Sequence, residues 1–185
     1  MRAAVLVSVA TLALAGCAAE RASAPSLLIP ADSPLKTQSF KRSGLTISLP
    51  RQVAVRTRKA PEVFRAPSAD WYVAGFAYKR AEQLPRSTSD LRAARRRLLA
   101  EARRRDPHFK VLSSKLTKSR GSPAIQIVGD QVLDQRRLRT RSLHVYKGKG
   151  EYVLEMAAPP AEFPTLDGGL FDRIAASLRV TGKPA

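Results

Sequence analysis

The sequence predicts an α+β domain in which a mostly antiparallel sheet is flanked by helices. Three observations predict it. Segments with two-residue alternation come in runs joined by short polar turns, and only two stretches have helical spacing. The resulting order is strands, helix, strands, helix, with no regular βαβ alternation and no internal repeat. The chain has 185 residues, 44% hydrophobic and 26% charged, and roughly 140 remain once an export signal and linker are set aside, a length at which one core is usual.

From Phe40 the pattern turns strand-like, with Leu45, Ile47 and Leu49 on one side, Thr46 and Ser48 on the other, and Pro50 ending the run. Val53 to Arg58 alternates again, and Trp71 to Tyr78 is aromatic and β-branched enough for a central strand. Trp71, Tyr72, Phe76 and Tyr78 read as core rather than as a platform for stacking bases. Leu91, Ala94, Leu98, Leu99 and Ala102 recur at helical spacing after the capping cluster Ser87-Thr88-Ser89-Asp90, and Asp106-Pro107 closes that helix. Strand-like runs follow at Lys110 to Lys118, Ala124 to Leu133, Leu138 to Tyr146 and Glu151 to Ala157. Breaks at Gly121-Ser122, Asp134-Gln135 and Gly148 to Gly150 make them a meander. A last helix from about Asp167 to Leu178 places Leu170, Phe171, Ile174 and Leu178 on one side, before a short Arg179-Val180 extension.

The amino terminus is of another kind. Met1-Arg2 is a minimal basic start, Ala3 to Ala15 is apolar, and Cys17 follows at once, the form of a cleavable export signal. The apolar run is shorter than the ~20 residues of a membrane-spanning helix, and Glu20 and Arg21 stop its extension. Leu14-Ala15-Gly16-Cys17 resembles the bacterial lipobox. The resemblance implies that the Cys17 thiol accepts diacylglycerol and that maturation leaves two or three acyl chains, palmitate among the usual ones. One chain anchors marginally; two or three anchor stably. The plainer alternative is that Cys17 is a small residue near an ordinary signal-peptidase site. Cys17 is also the chain's only cysteine, so no internal disulfide can form, and lipidation would consume an otherwise free thiol. Ala18 to Ser39 is rich in Ala, Ser and Pro and reads as a tether, with Leu27-Leu28-Ile29 as a cluster able to dock on the domain. The expected organisation is a signal peptide over residues 1–16, lipidated Cys17 and linker over 17–39, one folded domain over 40–181 and a tail over 182–185. The expected location is the extracytoplasmic side of a bacterial membrane, reached by the lipid anchor.

Charge is the outlier. Of 33 Lys+Arg only Arg2 lies in the signal, so the mature chain carries 32 basic residues against 15 acidic ones, a formal +17. Such a surplus attracts anionic phospholipid, acidic cell-wall polymer or nucleic acid, and it follows equally from a GC-rich genome. Export argues against nucleic acid. Arg92, Arg96 and Arg103 fall within about 40° of one another around the first helix, and Arg137, Arg139 and Arg141 alternate along one strand. These six are the candidate anion-binding residues, on two surfaces that meet if the pairing is regular; the plainer reading is a solvated helix face and sheet face. Arg95 points nearly with the apolar stripe and must snorkel along the sheet edge.

From Phe40 to Val180 the layout resembles the PsbP-like α/β/α family, which includes photosystem PsbP proteins, Ran-binding Mog proteins and small exported bacterial lipoproteins. The resemblance rests on the opening Gly44-Leu45-Thr46-Ile47-Ser48-Leu49-Pro50, the mid-chain helix and Glu151-Tyr152-Val153-Leu154. It rests also on Phe163 and on the close from Phe171-Asp172-Arg173-Ile174 to Ser177-Leu178-Arg179-Val180. It implies a non-catalytic accessory or protein-binding module of the envelope, and it transfers no ligand residue.

Other chemistry is thinly supported. His108 and His144 are the only histidines and have no close partners at metal-ligand spacing, so no metal or cofactor is expected and both read as packing or surface residues. Ser113, Ser114 and Ser142 lack a nucleophile-elbow pattern, and no enzyme is expected. Gly168-Gly169, placed just before the last helix, is a weak anion-binding turn. Asp130 and Asp134 lack the further acidic positions of a calcium loop and read as polar residues flanking a hairpin.

Overall fold

Alternation builds the first strand pair as expected and adds a strand in front of it. The structure is a computed structural model describing Pro30, residues 32–133 and residues 135–184. The expected export signal, the lipobox-like Leu14-Ala15-Gly16-Cys17 and most of the expected tether lie outside the described residues. Leu35–Phe40 (β1) pairs antiparallel with Leu45–Pro50 (β2), so the last residues assigned to the linker belong to the fold. Ser33 is buried and its hydroxyl accepts from Gln52 Nε2 at 3.0 Å, which fixes the chain before β1.

Of the expected strand at 53–58 only Arg56–Thr57 (β3) forms. It pairs with a strand that alternation does not predict, Glu62–Pro67 (β4). A bulge between Glu62 and Phe64 lets consecutive Val63 and Phe64 both be buried, which breaks the two-residue pattern. Tyr72–Lys79 (β5) is the expected central strand. Thr88–Arg105 (α1) is followed by the meander Lys110–Ser119 (β6), Ser122–Leu133 (β7), Arg136–Lys147 (β8) and Gly150–Ala158 (β9). The last helical segment starts earlier than expected: Phe163–Thr165 (α2), a π-helical stretch Leu166–Phe171 and Asp172–Ser177 (α3), then Arg179–Val180 (β10).

The strands form a seven-stranded antiparallel sheet, β3-β4-β5-β9-β8-β7-β6, and a small sheet, β1-β2-β10. Each face of the large sheet has its own core. On one face Val73, Tyr152, Leu154 and Met156 pack against Leu45, Ile47 and Leu49 of β2 and against Phe163, Leu170, Phe171 and Ile174 of the helical segment. On the other, Leu91 and Ala94 of α1 pack with Ile125, Ile127 and Tyr146, joined by Leu98, Leu99 and Leu116. The result is the three-layer arrangement expected, α1, sheet, then small sheet with the terminal helices. No helix among the described residues is long and apolar enough to cross a membrane.

Candidate binding surface

The sequence fixes α1 at its start. Asp90 N–H donates to Ser87 Oγ at 3.1 Å and Ser87 N–H donates to Asp90 Oδ2 at 3.0 Å, a reciprocal cap that satisfies two otherwise orphaned donors. With Leu91 and Ala94 turned to the sheet, Arg92, Arg96 and Arg103 are exposed on the far side, as expected, and have no hydrogen-bond or ion-pair partner among the described residues. The helix holds seven arginines against Asp90 and Glu101, a formal 7 − 2 = +5, and Glu101 is taken by Arg104 at 2.8 Å. Arg95 reaches over the sheet edge and donates to the Ser114 carbonyl at 3.4 Å.

The strand arginines share one face, but it is the face opposite α1. Arg141 stands beside Val128 and Met156 in register, on the side of the main core, whereas Ile127 and Ser142 face α1. The two basic surfaces therefore do not meet. Nor is the strand set an open ribbon. Asp130, 3% exposed, accepts from Arg139 Nε at 2.7 Å and from Arg137 Nη2 at 2.8 Å. The hydrogen bond from Arg139, aided by Arg137, outweighs burial and holds the Asp130 carboxyl below its ordinary range. Arg141, its side chain 12% exposed, pairs with Asp167 at 2.8 Å and Asp172 at 2.7 Å and lies 4.7 Å over the Phe171 ring. Its Nε is the one buried side-chain polar atom without a hydrogen bond among the described residues. The carboxylates that pair these arginines come from a neighbouring strand and from the distant C-terminal segment. Only Asp130, directly across from Arg139 in the β7–β8 hairpin, is signalled by local sequence.

A second group of charges lies on the α1 face where the helix does not reach, and sequence reasoning missed it. Glu151, 4% exposed, accepts from His144 Nδ1 at 2.8 Å and from Arg80 Nε at 2.8 Å, with Arg80 Nη2 also donating to Oε2. Burial pushes the Glu151 carboxyl up, but His144 and Arg80 together outweigh it and leave it below its ordinary value. Beside them Tyr72 O–H donates to Glu155 at 2.8 Å, and burial with that carboxylate drives the phenol pKa up. Phe76 and Tyr78 stack at 6.3 Å, and the Arg65 and Arg80 guanidinium groups cover Tyr72 and Tyr78. Of the expected aromatic core only Trp71 is buried; Tyr72, Phe76 and Tyr78 are half-buried on this outer face.

The remaining candidates stay apart. His108 is exposed, and its N–H donates to Asp106 Oδ1 at 2.8 Å. Among the described residues neither Ser113, Ser114 nor Ser142 hydrogen-bonds His144, whose Nδ1 is committed to Glu151. No cluster of three or more potential metal ligands occurs among them. Gly168-Gly169 lies inside the π-helical stretch instead of before a helix, so the anion-binding turn expected there is not formed. Asp130 serves the arginines, and Asp134 and the lipobox-like Leu14-Ala15-Gly16-Cys17 lie outside the described residues.

No known protein family and no curated protein matches the chain in sequence. Solved structures do match. The cyanobacterial PsbP protein CyanoP of Synechocystis sp. PCC 6803 aligns with a TM-score of 0.64 at 10% identity, covering 80% of this chain and 94% of that one. LpqN of Mycobacterium tuberculosis, a protein involved in cell envelope biogenesis, aligns with a TM-score of 0.55 at 13% identity, covering 80% of this chain and 91% of that one. At such identities the likeness is one of fold, and the fold is PsbP-like.

Proposed function

We propose that this chain is a membrane-anchored bacterial lipoprotein, held by lipid on Cys17, whose domain is a non-catalytic accessory or protein-binding module on the extracytoplasmic side of the envelope. The Leu14-Ala15-Gly16-Cys17 motif supports the anchor. A fold shared with an envelope-biogenesis protein supports the setting. The observation that carries a binding role is the distribution of charge. Asp130, Glu151, Asp167 and Asp172 are spent on internal pairs, and the ionisable groups that do converge, Arg80, Glu151 and His144, satisfy one another. The Arg92, Arg96 and Arg103 row is left for an outside partner. The test is crosslinking and affinity capture of the lipidated chain from its own cells. A discrete envelope protein is expected with wild type and lost with Arg92→Gln/Arg96→Gln/Arg103→Gln; recovery of the same protein with that variant overturns the role of the row.

The same row favours a second reading, direct electrostatic binding to anionic phospholipid or acidic wall polymer, where each Arg near an anionic surface contributes about 1 kcal/mol. Its signature is salt. Binding of the unlipidated chain to anionic vesicles should vanish by about 0.5 M salt, well beyond the concentration that screens exposed charges. Binding that persists there contradicts it.

A further inference from the structure

We infer that a small cup at one end of the large sheet, lined by Ser119, Arg120, Ser122, Lys147, Leu178 and Arg179, binds the doubly charged phosphate group of a phosphomonoester. The cup is separate from the arginine row of α1, and the inference does not depend on that row.

Strand register builds the cup. Ser119 and Ser122 are direct partners that close the β6–β7 hairpin. Ser122 lies two residues before Ala124, and Lys147, the last residue of β8, lies two residues after Val145, the partner of Ala124. Side chains two apart on a strand share a face, and Ala124 and Val145 are buried in the main core, so Ser119, Ser122 and Lys147 stand on that face as well. Leu178 is buried in the same core and brings the end of α3 over the spot, with Arg179 following at the rim. The space between them is about 270 Å³. That is less than the roughly 300–1,000 Å³ of pockets that enclose a whole small molecule, and enough for one phosphate group with its water.

Arg120 prepares the cup for an anion. Arg120 (φ 48°) and Gly121 (φ 80°) are the two central residues of the hairpin turn, and left-handed backbone is unfavourable for Arg. The guanidinium reaches across to the end of α3, where Nε donates to the Leu178 carbonyl at 3.1 Å and Nη2 to the Ala176 carbonyl at 3.0 Å. Carbonyls left over at a helix end repel anions. Arg120 covers these two and brings a positive charge that no carboxylate among the described residues neutralises.

The other polar groups are unspent. The side chains of Ser119, Ser122, Lys147 and Arg179 make no hydrogen bond or ion pair among the described residues. No carboxylate lines the cup among them, and the stretches that build it, residues 107–129, 135–150 and 173–184, contain no Asp or Glu. Arg137, Arg139 and Arg141 differ in this respect, since their carboxylates are already in place. Three positive charges without a counter-charge favour a dianion over a singly charged carboxylate. Hydroxyl, ammonium and guanidinium donors together suit several oxygens on one centre. Among ester groups the phosphomonoester carries close to two charges near neutral pH.

Soluble esters and phosphatidic acid headgroups both present that group, and the test separates them. The full chain, purified in detergent, is titrated calorimetrically at low salt with glycerol 3-phosphate, dimethyl phosphate and short-chain phosphatidic acid. Glycerol 3-phosphate is expected to bind one to one, and singly charged dimethyl phosphate about tenfold more weakly or less tightly still. Lys147→Gln/Arg179→Gln should weaken glycerol 3-phosphate binding by about tenfold, and Ser119→Ala/Ser122→Ala by about threefold, as charge-assisted hydrogen bonds are lost. Arg92→Gln/Arg96→Gln/Arg103→Gln should leave it unchanged. Lys147 and Arg179 are exposed, and the near-ultraviolet signal of buried Trp71 checks that the variants fold. Phosphatidic acid binding tighter than glycerol 3-phosphate assigns the cup to a lipid headgroup, and binding no tighter assigns it to a soluble ester; both uphold the site. No binding of glycerol 3-phosphate, equal binding of dimethyl phosphate, or binding that Lys147→Gln/Arg179→Gln leaves intact overturns it, whatever becomes of the α1 row.

Discussion

Replacing Glu151 with Gln removes one charge from a buried ionic contact of the fold and keeps its shape. Glu151 is 4% exposed and holds two partners, His144 and Arg80. The amide oxygen can still accept from Arg80, and its NH2 can donate to His144 Nδ1 if the ring carries its proton on Nε2, so the hydrogen bonds survive while the charge pairing does not. Breaking a fully buried pair costs about 3–5 kcal/mol. Here Arg80 is 35% exposed and has Glu82 at 3.8 Å as a weak substitute, so part of the guanidinium charge returns to water. The expected loss is about 2 kcal/mol, which for a domain of this size lowers the urea midpoint by roughly 1 M. Equilibrium urea unfolding followed by Trp71 fluorescence measures it. An unchanged or higher midpoint refutes the view that this network stabilises the sheet face that α1 leaves uncovered.

Arg141→Met should cost only about 1 kcal/mol, because Met keeps the stem against Phe171, removes the unpaired Nε and releases two carboxylates to solvent; Arg141→Ala should cost roughly 3, and thermal unfolding separates the two. Gly75→Ala should destabilise by about 3 kcal/mol, since its Cβ would stand 2.1 Å from Cε1 of Phe64, which is fully buried and stacked on Phe40 at 5.0 Å; unfolding curves report it. Acid should unfold the domain. The Asp130 and Glu151 carboxyls are depressed in the folded state, so the unfolded chain binds more protons, and the stability they give above the ordinary carboxylate range is lost as pH falls through their folded values. Unfolding free energy measured from pH 6 down to about pH 2 should decline below roughly pH 4.5, and a flat profile contradicts the assignment.

Much of the fold is legible because local chemistry agrees with it. The Ser87 cap and the Leu91, Ala94, Leu98 stripe define α1, and polar or glycine-bearing turns define the four-strand meander. The missed strands lack such agreement. In β1, Leu35 and Phe40 fall on opposite parities and the strand lies at a sheet edge, so no apolar face appears in LKTQSF. In β4 the bulge buries Val63 and Phe64 in succession. Of the charged residues, the alternation of Arg137, Arg139 and Arg141 is readable, but Asp167 and Asp172 come from a segment more than 25 positions away, and spacing cannot reveal that pairing. His144 and Glu151 are diagonal neighbours across the β8–β9 hairpin, where Tyr146 stands opposite Glu151. Their contact follows from the turn register and not from any motif. Arg80, 71 positions before Glu151, gives no sequence signal at all.

The anchor proposed on Cys17 would determine where everything else acts, and metabolic labelling with a fatty acid tests it most directly. Cells producing the wild-type chain should incorporate label and carry the protein in the membrane fraction, whereas Cys17→Ala should lose the label and leave that fraction. Label retained by Cys17→Ala, or absent from wild type, contradicts the account.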